Sequence, residues 1–261
     1  MKFLISGIVY AFLFISFIAS VTKADVDDLF VDERDAADGQ ITVERPVDYS
    51  ASYKDRRQTH GVLFSIYQEK YYPLDYFSLF EDKFIDQIID GRTINLLGFE
   101  IGYKYNFSLG SIGLLAGYSQ GHSEAPGTRN IWVKRTLVAA NIAFDNFFNE
   151  PLVVPYAQVG IAKFGIEEGN TGQGFKSSSA NNVPNYKLGL LFQLNWIEGA
   201  IDPSSHVDAL RSSGLENTFL DIYYSGHLQS SAAIPSETPH VVGEPNMRST
   251  DELGLGIKME F

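Results

Sequence analysis

Eight stretches of this chain alternate apolar and polar residues with a period of two, and each runs for 10–14 residues. They are "HGVLFSIYQE" (60–69), "TINLLGFEIGYKYN" (93–106), "GSIGLLAGYSQG" (110–121), "IWVKRTLVAANIAF" (131–144), "VVPYAQVGIAKFG" (153–165), "NYKLGLLFQLNWIE" (185–198), "TFLDIYYSGHLQ" (218–229) and "DELGLGIKMEF" (251–261). The ordinary soluble strand has about 5–6 residues, whereas a tilted strand crossing a membrane needs about 9–11. The last stretch alternates to its final residue. Leu253, Leu255, Ile257, Met259 and Phe261 form one row, and Lys258 and Glu260 belong to the other. A strand like this leaves an open edge unless another strand pairs with it.

The rows of two stretches show what each face meets. In 93–106, Leu97, Phe99, Ile101, Tyr103 and Tyr105 share a face, and Gly98, Glu100, Gly102 and Lys104 share the other. In 185–198, Tyr186, Leu188, Leu190, Phe192, Leu194 and Trp196 form an apolar row with aromatics at both ends, opposite Lys187, Gly189, Leu191, Gln193 and Asn195. An aromatic–aliphatic–aromatic row suits a strand whose middle meets lipid tails and whose ends meet headgroups. A soluble barrel turns its apolar row inward instead. We therefore expect an all-β chain, a transmembrane antiparallel up-and-down barrel of eight strands. Ten strands are the alternative if 71–80 or 232–243 also pair into the wall.

The mixed rows then point inward. Glu69, Glu100, Asp221 and Glu260 supply acids, Lys104, Arg135, Lys187 and Lys258 supply bases, and His227 joins them. Buried charges must be paired. Eight strands leave an interior just wide enough for side chains to fill it. The expectation is a polar lumen held largely by salt bridges.

The start of the chain, "MKFLISGIVYAFLFISFIASVTKA", has the basic, apolar and small-residue regions of a secretory signal peptide ending at Ala24. Removing residues 1–24, which carry two Lys and no acid, takes the formal net charge from −12 to −14. Such acidity argues against non-specific nucleic-acid binding. The chain has no Cys, which excludes disulfides and thiol chemistry. Residues 25–58 are charged and lack periodicity, so they read as a flexible acidic segment, with the barrel domain at 59–261.

The links suggest loops of unequal length. "FSL" and "DNFFNEPL" are short, and the links near 70–92, 122–130, 166–184 and 230–250 are long. "GNTGQGFKSSSANN" (169–182) reads as a flexible loop. Phe77, Phe80, Phe84 and Ile88 have the spacing of a helix in the first long loop. Asp202, Pro203, Val207, Leu210 and Gly214 mark a short helix in 199–217.

With these strands, this ending and a signal peptide, the chain resembles the small eight-stranded outer-membrane β-barrels of Gram-negative bacteria, the OmpA-transmembrane-domain and OmpW-like class. The resemblance implies an outer-membrane location among lipid and lipopolysaccharide. It also implies that the terminal row of Leu253, Leu255, Ile257, Met259 and Phe261 is the signal read by the barrel assembly machinery. It carries no catalytic motif.

The residues add none. The five His form no metal-binding pair, and no cofactor motif is present. His122, Ser123 and Glu124 invite comparison with the catalytic groups of lipid-modifying barrels, but neighbours on a strand face opposite ways. The expected function is a structural or surface-interaction barrel, with a narrow channel for small or apolar solutes next and a lipid-modifying enzyme last. Deleting Phe261 should sharply reduce assembly into the outer membrane, measured as the folded fraction in membrane extracts. Normal assembly of that truncation would contradict the role given to the ending.

Overall fold

The computed structural model describes residues 52–80, 83–84, 87, 93–124, 129–170, 172–197, 214–234, 243–250 and 252–261. Strands β1 (His60–Tyr71), β2 (Ile94–Phe107), β3 (Gly110–Glu124), β4 (Arg129–Ala143), β5 (Val153–Asn170), β6 (Gly174–Gln193), β7 (Asn217–His227) and β8 (Glu252–Glu260) follow one another round a closed barrel. Every neighbouring pair is antiparallel, including β8 with β1. Ser65 on β1 lies between Glu100 on β2 and Lys258 on β8. Phe261 continues the closure: its N–H donates to the Val62 carbonyl at 2.9 Å, and its carbonyl accepts from the Val62 N–H at 2.7 Å. The wall thus has eight strands, not ten. Beyond the end of β1, residues 72–80 make only the isolated bridges Pro73 to Ser249 and Phe77 to Phe84, and 235–242 lie outside the described residues.

Alternation sets the two faces. Leu97, Leu114, Val138 and Leu188 are 52%, 67%, 64% and 57% exposed on the outside. Between them in sequence, Glu100, Arg135 and Lys187 are buried inside. Among the described residues no helix is long and apolar enough to cross a membrane.

Two inward glycines make room for the ring interior. Tyr67 on β1 is flanked in register by Gly98 on β2 and Gly256 on β8. A Cβ at Gly98 would stand 2.6 Å from the Tyr67 ring, and one at Gly256 would stand 2.9 Å from its Cβ. Larger residues there would push Tyr67 off its place across the barrel.

Three sequence expectations change. The stretch 169–182 is not a flexible loop: β5 runs to Asn170 and β6 starts at Gly174. Gly172 and Gly174, at φ +89° and +82°, allow a turn tight enough to keep the two strands in register. A bulge opposite Ala162 and Phe164, with Asn182 at φ +53°, restores the inward parity, so that Ala180 and Val183 both face in. The link between β3 and β4 is likewise short, because both strands extend beyond their predicted ends. In the stretch read as a helix from Phe77 to Ile88, Phe77 to Phe84 are bridged as a β-type turn, while Gln87 beyond them is helical, its N–H donating to the Phe84 carbonyl at 3.1 Å. Phe77 bridges Phe84, and the Ser78 N–H donates to the Lys83 carbonyl at 3.0 Å. The rings of Phe77 and Phe84 meet edge to face at 5.5 Å, so a cross-turn aromatic pair produced the spacing that resembled a helix. The helix predicted in 199–217 falls mainly on 198–213, outside the described residues.

Candidate functional site

The strand parity carries all nine predicted interior residues to the inside of the ring, each buried. They form four groups, the fourth being Lys104 with Glu260. In the first, Arg135 pairs with Glu69. Its other donors reach the Tyr67 hydroxyl and His227 Nε2, each at 3.0 Å. Arginine has no acceptor, so Nε2 accepts and the ring proton sits on Nδ1, 3.1 Å from Ser249 Oγ. The second oxygen of Glu69 accepts from the Tyr223 hydroxyl at 3.1 Å. In the second group, Lys187 donates to Glu100 at 2.5 Å, and its ammonium lies 4.2 Å and 4.7 Å from the ring centres of Tyr67 and Tyr223. In the third, Asp221 accepts from the Tyr156 hydroxyl at 2.8 Å, and Lys258 lies 4.3 Å from the centre of that ring. Lys104 and Glu260 pair with each other nearer the end where the chain enters and leaves the barrel.

That end is completed by residues assigned from sequence to the flexible segment. Helix α1 (Tyr53–Arg56) packs into the mouth and buries Tyr53 completely. The Tyr53 hydroxyl donates to Glu260 at 2.8 Å and accepts from Lys104 at 3.3 Å. Burial, reinforced by the Asp145 charge, raises its pKa far above the usual phenol range, so it stays a donor. Arg57 pairs with Asp145 and donates to the carbonyls of Phe107 at 2.9 Å and Gly110 at 2.7 Å. Residues 52–58 therefore belong to the barrel. No periodicity announces a one-turn helix, which is why the sequence did not reveal it.

The interior is not polar throughout. Along β1 the inward row runs Tyr71, Glu69, Tyr67, and along β6 it runs Val183, Lys187, Leu191, so charge lies between apolar layers. The layer toward the loops gathers Ile94, Leu96, Ile131, Val133, Phe164 and Ile166 with Tyr76 and Met247 from the loops themselves. Sequence reasoning missed it because β4 and β5 have apolar residues on both faces, and alternation then gives no sign.

Side chains fix those loops to the wall. Glu168 on β5 accepts from Ser78 Oγ at 2.9 Å and from the Leu79 N–H at 3.1 Å. Lys176 on β6 donates to the Leu79 carbonyl at 2.7 Å. Glu244 accepts from the N–H and side-chain amide of Asn181, both at 2.8 Å. Those bonds, the side-chain one first, hold its carboxyl below the usual carboxylate range. The part of β6 before Asn185 has no β7 partner, and Glu244 meets its backbone there at Asn181.

Two cavities follow. One of about 20 Å³ lies among Lys104, Asn141, Asp145, Phe219, Lys258 and Glu260, with room for about one water. The other, about 160 Å³, sits at the loop end between Asp75, Phe77, Phe84, Ile234 and Asn246.

His122 and Ser123 do not come together. β3 continues through both, so His122 is exposed and stacks on Trp132 at 4.8 Å, while Ser123 points inward and is buried. Among the described residues no group of three or more His, Asp or Glu is placed to hold a metal.

Replacing Lys187 by Met should leave Glu100 buried without its cation, lowering stability by about 3–5 kcal/mol in urea unfolding of the micellar protein. The double substitution Glu100→Gln with Lys187→Met should lose clearly less than the sum of the two single losses. Additive losses would show that the pair does not act as a unit.

No protein-family model matches the chain, and no curated protein matches it. Among solved structures it is similar to the N-terminal β-barrel domain of Pseudomonas aeruginosa OprF, at 16% identity and TM-score 0.41, covering 78% of this chain and 98% of that one. It is similar to Neisserial surface protein A, at 14% identity and TM-score 0.42, with the same coverage. It is also similar to Ail, the attachment invasion locus protein of Yersinia pestis, at 16% identity and TM-score 0.41, covering 77% of this chain and 97% of that one. With its own ring of eight antiparallel strands, apolar outside and charged within, this chain has the fold of the small transmembrane β-barrels of the outer membrane.

Proposed function

We propose that the protein resides in the bacterial outer membrane as a barrel closed along its axis, and that it acts through its loop end as a structural and surface-interaction protein. The observation that carries this reading is the filling of both mouths by the chain's own residues. Tyr76 and Met247 come from the loops at one end and Tyr53 comes from α1 at the other, and each is about 1% exposed or less. Between them, paired charges and tyrosines occupy the bore. A wide aqueous path would need many of these groups to leave together.

The outer apolar belt is the surface offered to membrane lipid and lipopolysaccharide. The row Leu253, Leu255, Ile257, Met259 and Phe261 lies along its seam, where the assembly machinery would engage it. The formal net charge of −12 disfavours non-specific binding to nucleic acid.

Planar-bilayer recording tests the closed state. The purified full-length protein should give no discrete conductance steps, and liposomes containing it should not swell in small sugars. Steps of the size given by wide porins would contradict the proposal and favour a transport role.

A further inference from the structure

The loop-end cavity has features that the closed barrel alone does not require. Its volume of about 160 Å³ approximates that of an apolar cavity that takes one six-membered ring, about 150 Å³. The Phe77 and Phe84 rings, edge to face, form one wall, and Ile234 and Leu79 add apolar surface. These four residues are only half-buried, so a solute can reach them.

The polar groups are a matched donor and acceptor. Asn246 lines the cavity and is 2% exposed. Its Oδ1 accepts from the Arg248 N–H at 3.2 Å, which fixes the orientation of the amide. Its Nδ2 is buried and meets no acceptor among the described residues. Such an orphan donor is costly unless something accepts from it. Asp75 supplies an acceptor on the same lining, and Arg248 Nη1, 3.5 Å away, offsets its charge. A near-neutral pair beside apolar rings disfavours a strongly charged ligand.

Both walls are held in place. The first loop is bonded to Glu168 through Ser78 and Leu79, and the last loop is bonded to Asn181 through Glu244. A site built this way loses little freedom when it fills.

We propose that this cavity binds one neutral, hydroxylated six-membered ring, the pyranose unit of a sugar. The apolar C–H face of the ring lies on Phe77 and Phe84, one hydroxyl oxygen accepts from Asn246 Nδ2, and one hydroxyl donates to Asp75. The proposal deepens the surface-interaction reading by giving the loop end a ligand class.

Saturation-transfer NMR of the full-length protein in nanodiscs tests it with the methyl α-pyranosides of glucose, galactose and mannose, and with phenol as an apolar ring of the same size. At least one pyranoside should receive saturation and phenol should not displace it. Asn246→Asp keeps the acceptor for the Arg248 N–H but removes the donor, and should weaken binding about tenfold. Phe84→Ala should weaken it further. An oligosaccharide ending in the same sugar distinguishes the source: equal binding marks the terminal unit of a surface glycan as ligand, and binding of the free pyranoside alone marks a free sugar.

No saturation of any pyranoside by a barrel that remains folded on unheated gels would overturn the proposal. Binding of phenol in place of the sugars would overturn it too, as would pyranoside binding unchanged in Asn246→Asp. The bilayer recording is independent of these outcomes, so a silent barrel that binds no sugar would reject the sugar site and leave the closed-barrel reading standing.

Discussion

Backbone hydrogen bonding in a medium without water is the constraint on which this structure depends. A strand facing lipid cannot leave its N–H and C=O groups open, because nothing outside can satisfy them. The chain meets this by closing: β8 returns to β1, and Phe261 bonds Val62 in both directions. Closure turns a two-residue period into two surfaces, a smooth apolar exterior and an enclosed interior. The inward glycines that seat Tyr67, and the nine charged or imidazole side chains within, are consequences of the ring.

The enclosed side poses the second problem. Burying isolated charges is costly, so each must meet an opposite charge, a hydrogen-bond partner or an aromatic face. Tyrosines serve this end as much as acids and bases do. Tyr67 and Tyr223 touch both the Glu69–Arg135 pair and Lys187, joining two ion pairs into one assembly. Beyond this layer the interior becomes apolar, and the loops close over it with Tyr76 and Met247. The membrane-facing wall and a conventional hydrophobic core thus coexist in one ring, separated by the width of a strand.

The eight strands were legible because two unlike faces leave a strict signature in residues such as Leu97, Phe99 and Ile101 against Gly98 and Glu100. The same parity located the interior charges. It failed where one face was not distinctive. Ile131, Val133 and Ile166 face inward, but their strands are apolar outside as well, so the inner core could not be told from the outer belt. Composition misled at 169–182, where Gly, Ser and Asn suggested a loop although the register with β5 holds them as a strand. Phe77 and Phe84 have the spacing of a helix face, but a turn brings these two residues together. Tyr53 gave no signal at all, since its place depends on Glu260 and Lys104, far away in sequence.

Site-directed spin labelling tests the central claim, that the alternating rows separate lipid from a packed interior. Nitroxides at Ile101, Leu114, Val138 and Leu188 should be open to collisions with oxygen and shielded from a water-soluble nickel chelate. A label at Ser119 on the inner face should be immobile and shielded from both. Collision with the nickel chelate along the outer row, or a freely mobile label at Ser119, would contradict this account.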